Sequence, residues 1–332
     1  MSEPAVRAAV IGLGMMGANH ARVLNELPGV DLVGVADLDE EAVGRATSGR
    51  TARGYTDAGT LLATEHPELV VVAVPTSLHL PATLQALEAG AHVLVEKPIA
   101  PDRHEAEAMI AAAESAGRIL TVGHIERFNP AIRELSRRLD GGELGRVFQI
   151  RASRLGPFPA RVRDVGVVVD LAPHDLDVMR YLLRAEPVRM YAETEQRIHT
   201  DHEDLFTGLV KFESGAIGLL EINWLTPTKV RKLTVTGERG MYEADYLSQD
   251  LVFYANPDHE IVTEGEMTRR AVQRREPLAV ELSEFVSAIR SGGPPPVSPQ
   301  DALIAMLLAR AMVDAAARGI VISAADLAPI LA

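Results

Sequence analysis

The sequence predicts an N-terminal α/β domain built on a doubly wound parallel sheet, followed by a C-terminal α+β domain with a large, mostly antiparallel, open-faced sheet. Three observations predict it. Up to about residue 123, short β-branched runs alternate with helical stretches. Beyond it, residues 187–254 form short alternating runs, with turns at Glu213-Ser214-Gly215 and Gly237-Glu238-Arg239-Gly240. The length of 332 residues suits two domains of roughly 100–200 residues each. The boundary is expected between the segments 1–123 and 124–332.

Each element follows from local pattern. Residues 7–12 are an apolar run leading into glycines, and residues 16–27 read as a helix. Residues 32–37, 69–74, 92–95 and 119–122 read as strands; the uninterrupted run at 69–74 suits a strand buried on both faces. Helices at 80–89 and 102–116 end at Gly90 and Gly117. In the second half, 130–139 is helical, 145–151 is a strand and 171–183 is an amphipathic helix. Helices at 278–290 and 301–318 close the chain around the Gly-Gly-Pro-Pro-Pro turn at 292–296.

Composition narrows the function classes. A formal charge of −13 repels phosphate backbones, so general nucleic-acid binding is not expected, and a small anionic ligand needs a local basic patch. No apolar run approaches the ~20 residues of a membrane span. Met1-Ser2-Glu3-Pro4 shows neither a basic nor an apolar leader region, so no export signal is expected and the cytoplasm is the expected compartment. The chain has no cysteine, which excludes disulfides, thiolate metal sites and cysteine nucleophiles. Lysine is scarce: four residues (Lys97, Lys211, Lys229, Lys232) stand against 29 arginines, so each retained lysine invites a functional explanation.

Gly12-Leu13-Gly14-Met15-Met16-Gly17 fits G-x-G-x-x-G, and Asp37 closes the next strand 20 residues after Gly17. The pattern alone is weak; between a strand and a helix, with that acid in place, it predicts a Rossmann dinucleotide site. Gly12 permits the tight turn, Gly14 lets the backbone approach a pyrophosphate, and Gly17 lets helix and strand pack closely. The helix N-terminus then offers free N–H groups and a partial positive charge to the phosphates. The Asp37 carboxylate accepts from the adenosine ribose hydroxyls and repels a 2′-phosphate, so NAD is the expected cofactor rather than NADP. Leu38-Asp39-Glu40-Glu41 adds negative charge; Arg45, folded back, is the feature that would favour NADP.

Val74-Pro75-Thr76-Ser77-Leu78-His79 and Val95-Glu96-Lys97-Pro98 follow two of the strands, at the carboxyl edge where cofactors bind. Val74, Pro75, Thr76, Ser77, His79 and Glu96 are therefore expected cofactor contacts. Pro98 keeps Lys97 out of helical geometry. A cation held there suits both a substrate hydroxyl and the nicotinamide ribose; the bland alternative is a surface turn lysine. Asp170, His174 and Asp177 lie at i, i+4 and i+7, one stripe of a helix. Histidine titrates near neutrality and suits removal of a hydroxyl proton. Asp170 either orients that ring or is only the helix N-cap, with Pro173 in the first turn. Asp177 reads as structural. No further ligand set accompanies these side chains, so no metal is expected.

With these residues in hand, the chain resembles the Gfo/Idh/MocA oxidoreductase family over nearly its whole length, through Gly12-x-Gly14-x-x-Gly17, Asp37, Glu96-Lys97-Pro98 and Asp170-x-x-x-His174. The resemblance implies a Rossmann domain, an open-faced mixed-sheet domain, and hydride transfer at a sugar or cyclitol carbinol. It also implies Lys97 and His174 as the central pair, with Asp170 beside them. Val122-Gly123-His124-Ile125-Glu126-Arg127-Phe128-Asn129-Pro130 looks like the UDP-N-acetylglucosamine 3-dehydrogenase-like subgroup. So do Arg161-Val162-Arg163-Asp164-Val165-Gly166 and Asn223-Trp224-Leu225-Thr226-Pro227-Thr228-Lys229. His124, Arg127 and Asn129 fall at the expected domain junction, as substrate contacts (His124, Arg127) and cofactor contacts (Arg127, Asn129). Arg161 and Arg163, and a second cluster of Lys229, Arg231 and Lys232, suit a diphosphate; solvated surface or oligomer contacts are the alternative.

The leading expectation is an NAD-dependent dehydrogenase of a nucleotide-activated sugar. A dehydrogenase of a free cyclitol or sugar shares the chemistry without the diphosphate. A catalytically silent NAD-binding regulator is the reading of another class, against which the intact Lys97, Asp170 and His174 speak. The sheet at 187–254 has two faces and too few helices to cover both, so a homodimer or homotetramer is expected.

Overall fold

The computed structural model describes residues 4–159, 165–198, 201–256 and 265–332. The chain forms two compact units: residues up to Ile125 with Glu276–Leu303, and Glu126–Arg275 with Ile304–Ala332.

The first unit is a doubly wound parallel sheet. Its strands are β1 (Val6–Ile11), β2 (Val30–Ala36), β3 (Arg53–Tyr55), β4 (Leu69–Val72), β5 (His92–Val95) and β6 (Leu120–Val122), in the order β3-β2-β1-β4-β5-β6. Leu69 to Val72 are all fully buried. Burying each such side chain is worth about 1.5–3 kcal/mol, which holds this strand at the sheet centre. The order reverses between β1 and β4, which opens a crevice at their carboxyl ends. Register decides what lines that edge. Ile11 pairs with Ala36 and Val72, Val72 with Val95, and Val95 with Val122. The residues that follow these strands, Gly12, Asp37, Ala73, Glu96 and Gly123, therefore align along one edge.

Helices α1 (Met15–Glu26), α2 (Glu40–Thr47), α3 (Ala58–Glu65), α4 (His79–Glu88) and α5 (Arg103–Ala116) connect the strands. The segment α2-β3-α3 has no clear signal in the sequence. β3 is a three-residue strand at the sheet edge, and the two helices are eight residues each, about two turns, started by local caps, Asp39 accepting from Glu41 N–H and Asp57 from Thr60 N–H. The later helix at Pro277–Ser291 packs in this unit, although the sequence reading placed it in the second domain. Its Leu278, Leu282, Phe285 and Val286 join Val23, Leu24 and Val6 in one core. Burial of that apolar stripe, remote in sequence, decides its place.

The second unit holds helix α6 (Pro130–Asp140), strand β7 (Val147–Pro157) and helix α7 (Val167–Leu183). Strands β8 (Pro187–Glu195), β9 (Leu205–Phe212), β10 (Ile217–Asn223), β11 (Leu225–Gly237), β12 (Gly240–Asp245), β13 (Asp250–Ala255) and β14 (Met267–Arg270) follow. With the Pro277–Ser291 helix numbered α8, the chain ends in α9 (Pro299–Arg318) and α10 (Ala324–Leu331). The sheet order is β14-β13-β12-β11-β7-β10-β9-β8; β10 runs parallel to β7 and every other pair is antiparallel. Ile150 and Ala152 on β7, Leu220 and Ile222 on β10, and Leu233 and Val235 on β11 are buried on the face toward α6 and α7. The opposite face leaves Leu209 and Ile217 exposed beside polar pairs such as Arg151–Glu221.

One helix starts earlier than expected, and one helix was not expected. Helix α7 starts a turn before the expected residue 171, so Asp170 lies inside its first turn and is not the N-cap; Gly166 is. Glu203 supplies the missing cap, its carbonyl accepting from Val167 N–H and its carboxylate from Val168 N–H. A cap from so distant a residue leaves no local sequence signal. Helix α10 was not anticipated because Pro329 falls inside it; a Ser323–Asp326 capping box starts it.

Candidate active site

The dinucleotide loop sits between β1 and α1. Gly12 has φ +91°, and a Cβ there would lie 2.6 Å from the Ala73 carbonyl. A Cβ on Gly17 would lie 1.8 Å from the Gly12 carbonyl oxygen. Both positions therefore demand glycine for internal reasons. Gly14 differs: a Cβ there would meet nothing within 4 Å, so no protein atom demands glycine and the space beside it is open. Gly14 also caps α1, with no side chain hydrogen-bonded to the first turn and no acid in it. The free N–H groups and the open space together fit a pyrophosphate. Leu13 is buried here, whereas Met15 is exposed and Met16 half-buried.

Asp37 directly follows β2 and is half-buried. Its Oδ2 accepts from Leu13 N–H at 2.5 Å and its Oδ1 from Asp39 N–H at 2.9 Å, which locks the acid to the glycine loop. Arg45 stands 3.7 Å from Asp39 and 3.6 Å from Glu41, turned toward the acids of its own helix.

Lys97 occupies the bend after β5, half-buried, before a cis Pro98. Its backbone is held by neighbours the sequence analysis did not connect. Glu96 Oε2 accepts from Lys97 N–H at 3.2 Å, and Glu96 Oε1 lies 2.7 Å from His20 Nε2 on α1. Burial alone would raise the Glu96 carboxyl; the His20 hydrogen bond, the His20 and Lys97 charges and the Lys97 N–H outweigh it and hold the group below the usual carboxylate range. Gly123 gives this carboxylate room, since a Cβ there would come within 3.2 Å of it. His20 is three residues beyond Gly17, so the helix that faces the phosphates also braces the lysine turn.

After β4, Val74 leads to Pro75, which caps a short 3-10 turn over Thr76–Leu78. His79, expected as a cofactor contact, is buried. Its Nδ1 lies 3.0 Å from the Pro98 carbonyl and its Nε2 3.0 Å from that of Val74, so the ring bridges the β4 and β5 turns. Burial pushes its imidazole pKa down. His124 is buried just after β6, its N–H donating to the Val122 carbonyl.

Helix α8 adds a buried acid. Glu281 is 2% exposed, and neither carboxyl oxygen has a partner among the described residues. Burial, with the Glu96 charge second, pushes its pKa well above the usual range. The folded state therefore keeps a proton that the unfolded state loses, and stability falls as pH rises above about 4.3. Glu281→Gln should remove that slope. Its Tm should match wild type in mild acid and exceed it near pH 8, by about 2–4 °C for each kcal/mol relieved. Parallel Tm–pH curves for the two proteins would contradict this.

In the second unit, Asp170 and His174 are the half-buried members of the α7 stripe, and Asp177 is buried. Arg127 Nε and Nη2 hold Asp177 at 2.7 and 2.6 Å. Asn129 caps α6, accepting from Ala131 N–H, and donates through Nδ2 to the Tyr246 carbonyl at 3.0 Å. Arg127 and Asn129 thus have protein partners at the positions where ligand contacts were expected. A second buried pair was missed. Arg154 grips Asp175 at 2.8 and 2.9 Å and Glu126 at 2.9 Å, and packs over the Tyr246 ring. Its signal was a lone arginine on the inward face of a strand, legible only once the register is known. Lys229 is exposed on β11, within a bulge where residues 225 and 230 pair with 157 and 155. Lys232 pairs with Glu243 at 2.8 Å. Arg161 and Arg163 lie outside the described residues.

Comparison with known proteins agrees with these two halves. A family model described as "Oxidoreductase family, NAD-binding Rossmann fold" matches residues 6–124, and one described as "GFO/IDH/MocA C-terminal domain" matches residues 132–243. The UDP-N-acetylglucosamine 3-dehydrogenase of Acidithiobacillus ferrooxidans is 30% identical over 291 residues, 87% of this chain and 90% of that one. The scyllo-inositol 2-dehydrogenase (NAD(+)) of Bacillus subtilis is 28% identical over 318 residues, 91% of each chain. A solved structure of the Acidithiobacillus enzyme superposes with a TM-score of 0.84 at 27% identity, covering 98% of this chain and all of the other.

Proposed function

The chain belongs to the Gfo/Idh/MocA oxidoreductase family, and from that premise we propose that it is an NAD-dependent dehydrogenase of a nucleotide-activated sugar, acting at C3 of UDP-N-acetylglucosamine or a close analogue. The observation that carries the substrate is the likeness to the Acidithiobacillus enzyme over nearly the full length of both chains. The residue runs 122–130, 161–166 and 223–229 support it from the sequence.

Bound NAD supplies the acceptor for the hydride. The chain's own residues do the rest. The glycine loop and Asp37 hold the dinucleotide. His174 takes the hydroxyl proton, with Asp170 one turn earlier on α7 orienting the ring. The Lys97 ammonium stabilises negative charge developing on oxygen. Arg161, Arg163 and Lys229 meet the diphosphate, and His124 the substrate.

The test is NADH formation across a panel of UDP- and dTDP-sugars and free inositols. UDP-N-acetylglucosamine should give the highest kcat/KM. Turnover of scyllo-inositol with none of any nucleotide sugar would replace this reading by the free-cyclitol one.

Cofactor choice has its own test. Asp37→Ser with Leu38→Arg should move the kcat/KM ratio toward NADP, since it removes the repelling carboxylate and adds a cation for the 2′-phosphate. Wild-type preference for NADP would refute the role given to Asp37.

We also propose a homodimer or homotetramer joined through the outer face of the eight-stranded sheet, where Leu209 and Ile217 are 45% and 39% exposed. Light scattering at micromolar concentration should report the oligomer, and a monomer there would refute it.

A further inference from the structure

Arg231 stands apart from the other cations on the inner face of the second sheet. It pairs across the strands with Arg154, so both side chains lie on the face that α7 covers. Arg154 takes the carboxylates of Asp175 and Glu126. Arg231 has no carboxylate within ion-pair distance among the described residues. Among the described residues it donates only through Nη1, to the carbonyls of Leu155 at 2.6 Å and Val230 at 2.8 Å. Those two bonds fix the guanidinium and leave Nε and Nη2 without an acceptor among the described residues. Burial, then the Arg154 charge, lowers its pKa to about 10; the more distant charges of Asp175, Glu126 and Asp170 oppose this without cancelling it. A half-buried, fixed, uncompensated guanidinium gains from an added anion. There is room beside it: Gly156 has no side chain, and a Cβ there would lie 3.8 and 4.0 Å from the two Nη atoms.

We propose that Arg231 is a further residue of the second unit that binds the anionic group of the substrate, beside the cations already assigned to it, an oxyanion held by the Nε and Nη2 donors that no described residue takes. The inference rests on the nucleotide-sugar reading for the source of that anion, the diphosphate. A sugar carboxylate presents the same chemistry. Arg231 thereby selects charged sugars over neutral ones, while Asp170 and His174 on the facing helix serve the carbinol.

The experiment uses the NAD-loaded enzyme with wild type, Arg231→Gln, Arg231→Lys and Gly156→Ala. Turnover of UDP-N-acetylglucosamine and of neutral scyllo-inositol is measured, together with calorimetric binding of UDP and of glucuronate. Arg231→Gln should raise KM for the nucleotide sugar and Kd for UDP at least tenfold, with the NAD Kd and any inositol turnover unchanged. Arg231→Lys keeps the charge but loses the fork and should recover only part. Gly156→Ala leaves the arginine in place, narrows the space beside it, and should weaken UDP binding. Glucuronate binding that depends on Arg231, without UDP binding, keeps the anion site and overturns the nucleotide-sugar reading. Wild-type turnover of the nucleotide sugar with unchanged KM and Kd in both Arg231→Gln and Gly156→Ala overturns the proposal and leaves that reading intact. Binding of neither anion by wild type overturns both. A Tm loss in Arg231→Gln with equal losses on every substrate would make the residue structural and also overturn the proposal.

Discussion

His174→Ala should lower kcat by about 10²–10⁴-fold, the usual cost of removing a general base, and leave NAD affinity nearly unchanged. The separation follows from placement. His174 lies on α7 in the second unit, whereas the glycine loop, Asp37 and the N-terminus of α1 belong to the first. Lys97→Ala should do comparable damage to kcat, because the developing oxyanion loses its cation. Glu96→Gln offers a graded contrast. It keeps the shape of the brace on the lysine turn but removes the charge facing His20, and should fall between wild type and Lys97→Ala. Turnover is to be measured beside a direct NAD titration for each variant. Near-wild-type kcat in His174→Ala would reject it as the base.

Asp177→Ala should cost about 3–5 kcal/mol of stability, the usual penalty for stranding one partner of a buried ion pair. At about 2–4 °C per kcal/mol, the Tm should fall by roughly 6–20 °C. Asp177 is 1% exposed and Arg127 9%, so water cannot replace the lost carboxylate. The double variant Arg127→Met with Asp177→Leu strands no charge and should recover most of the loss, since apolar replacement of a buried pair is often neutral or stabilising. A thermal melt of the four proteins decides it. A Tm drop of under a degree in Asp177→Ala would mean that the pair contributes little. An Arg127→Met variant that melted normally yet bound NAD weakly would return Arg127 to the ligand-contact role expected from the sequence.

Much of the first unit was legible because its signals are local. A β-branched run long enough for one strand and a glycine at each turn need no distant partner to be read. Asp37 was found for the same reason, since its spacing from Gly17 is set by one helix and one strand. Other features depend on partners far along the chain. His20 is an ordinary helical residue until Glu96, 76 residues later, comes within 2.7 Å of it. Glu281 sits on an apolar helix face that proves to be interior. Helix α7 begins at Val167 only because Glu203 supplies its cap.

The sequence by itself determined the alternation of strands and helices in the first unit, the change to a mostly antiparallel sheet after it, and the glycine turn that a dinucleotide needs, because periodicity, spacing and side-chain chemistry are properties of short stretches. Only the tertiary structure decided which charges are spent and which remain. Arg127, Arg154 and Lys232 all read as cations, and each is matched to an acid from another element, at 2.6, 2.8 and 2.8 Å. Arg231, one residue before Lys232, has no such acid among the described residues. The physical reason lies in register: pairing Arg231 with Arg154 across two strands places two guanidinium groups where the nearby carboxylates already serve one. That accounting depends on strand alignment and burial, and no short stretch of sequence contains it.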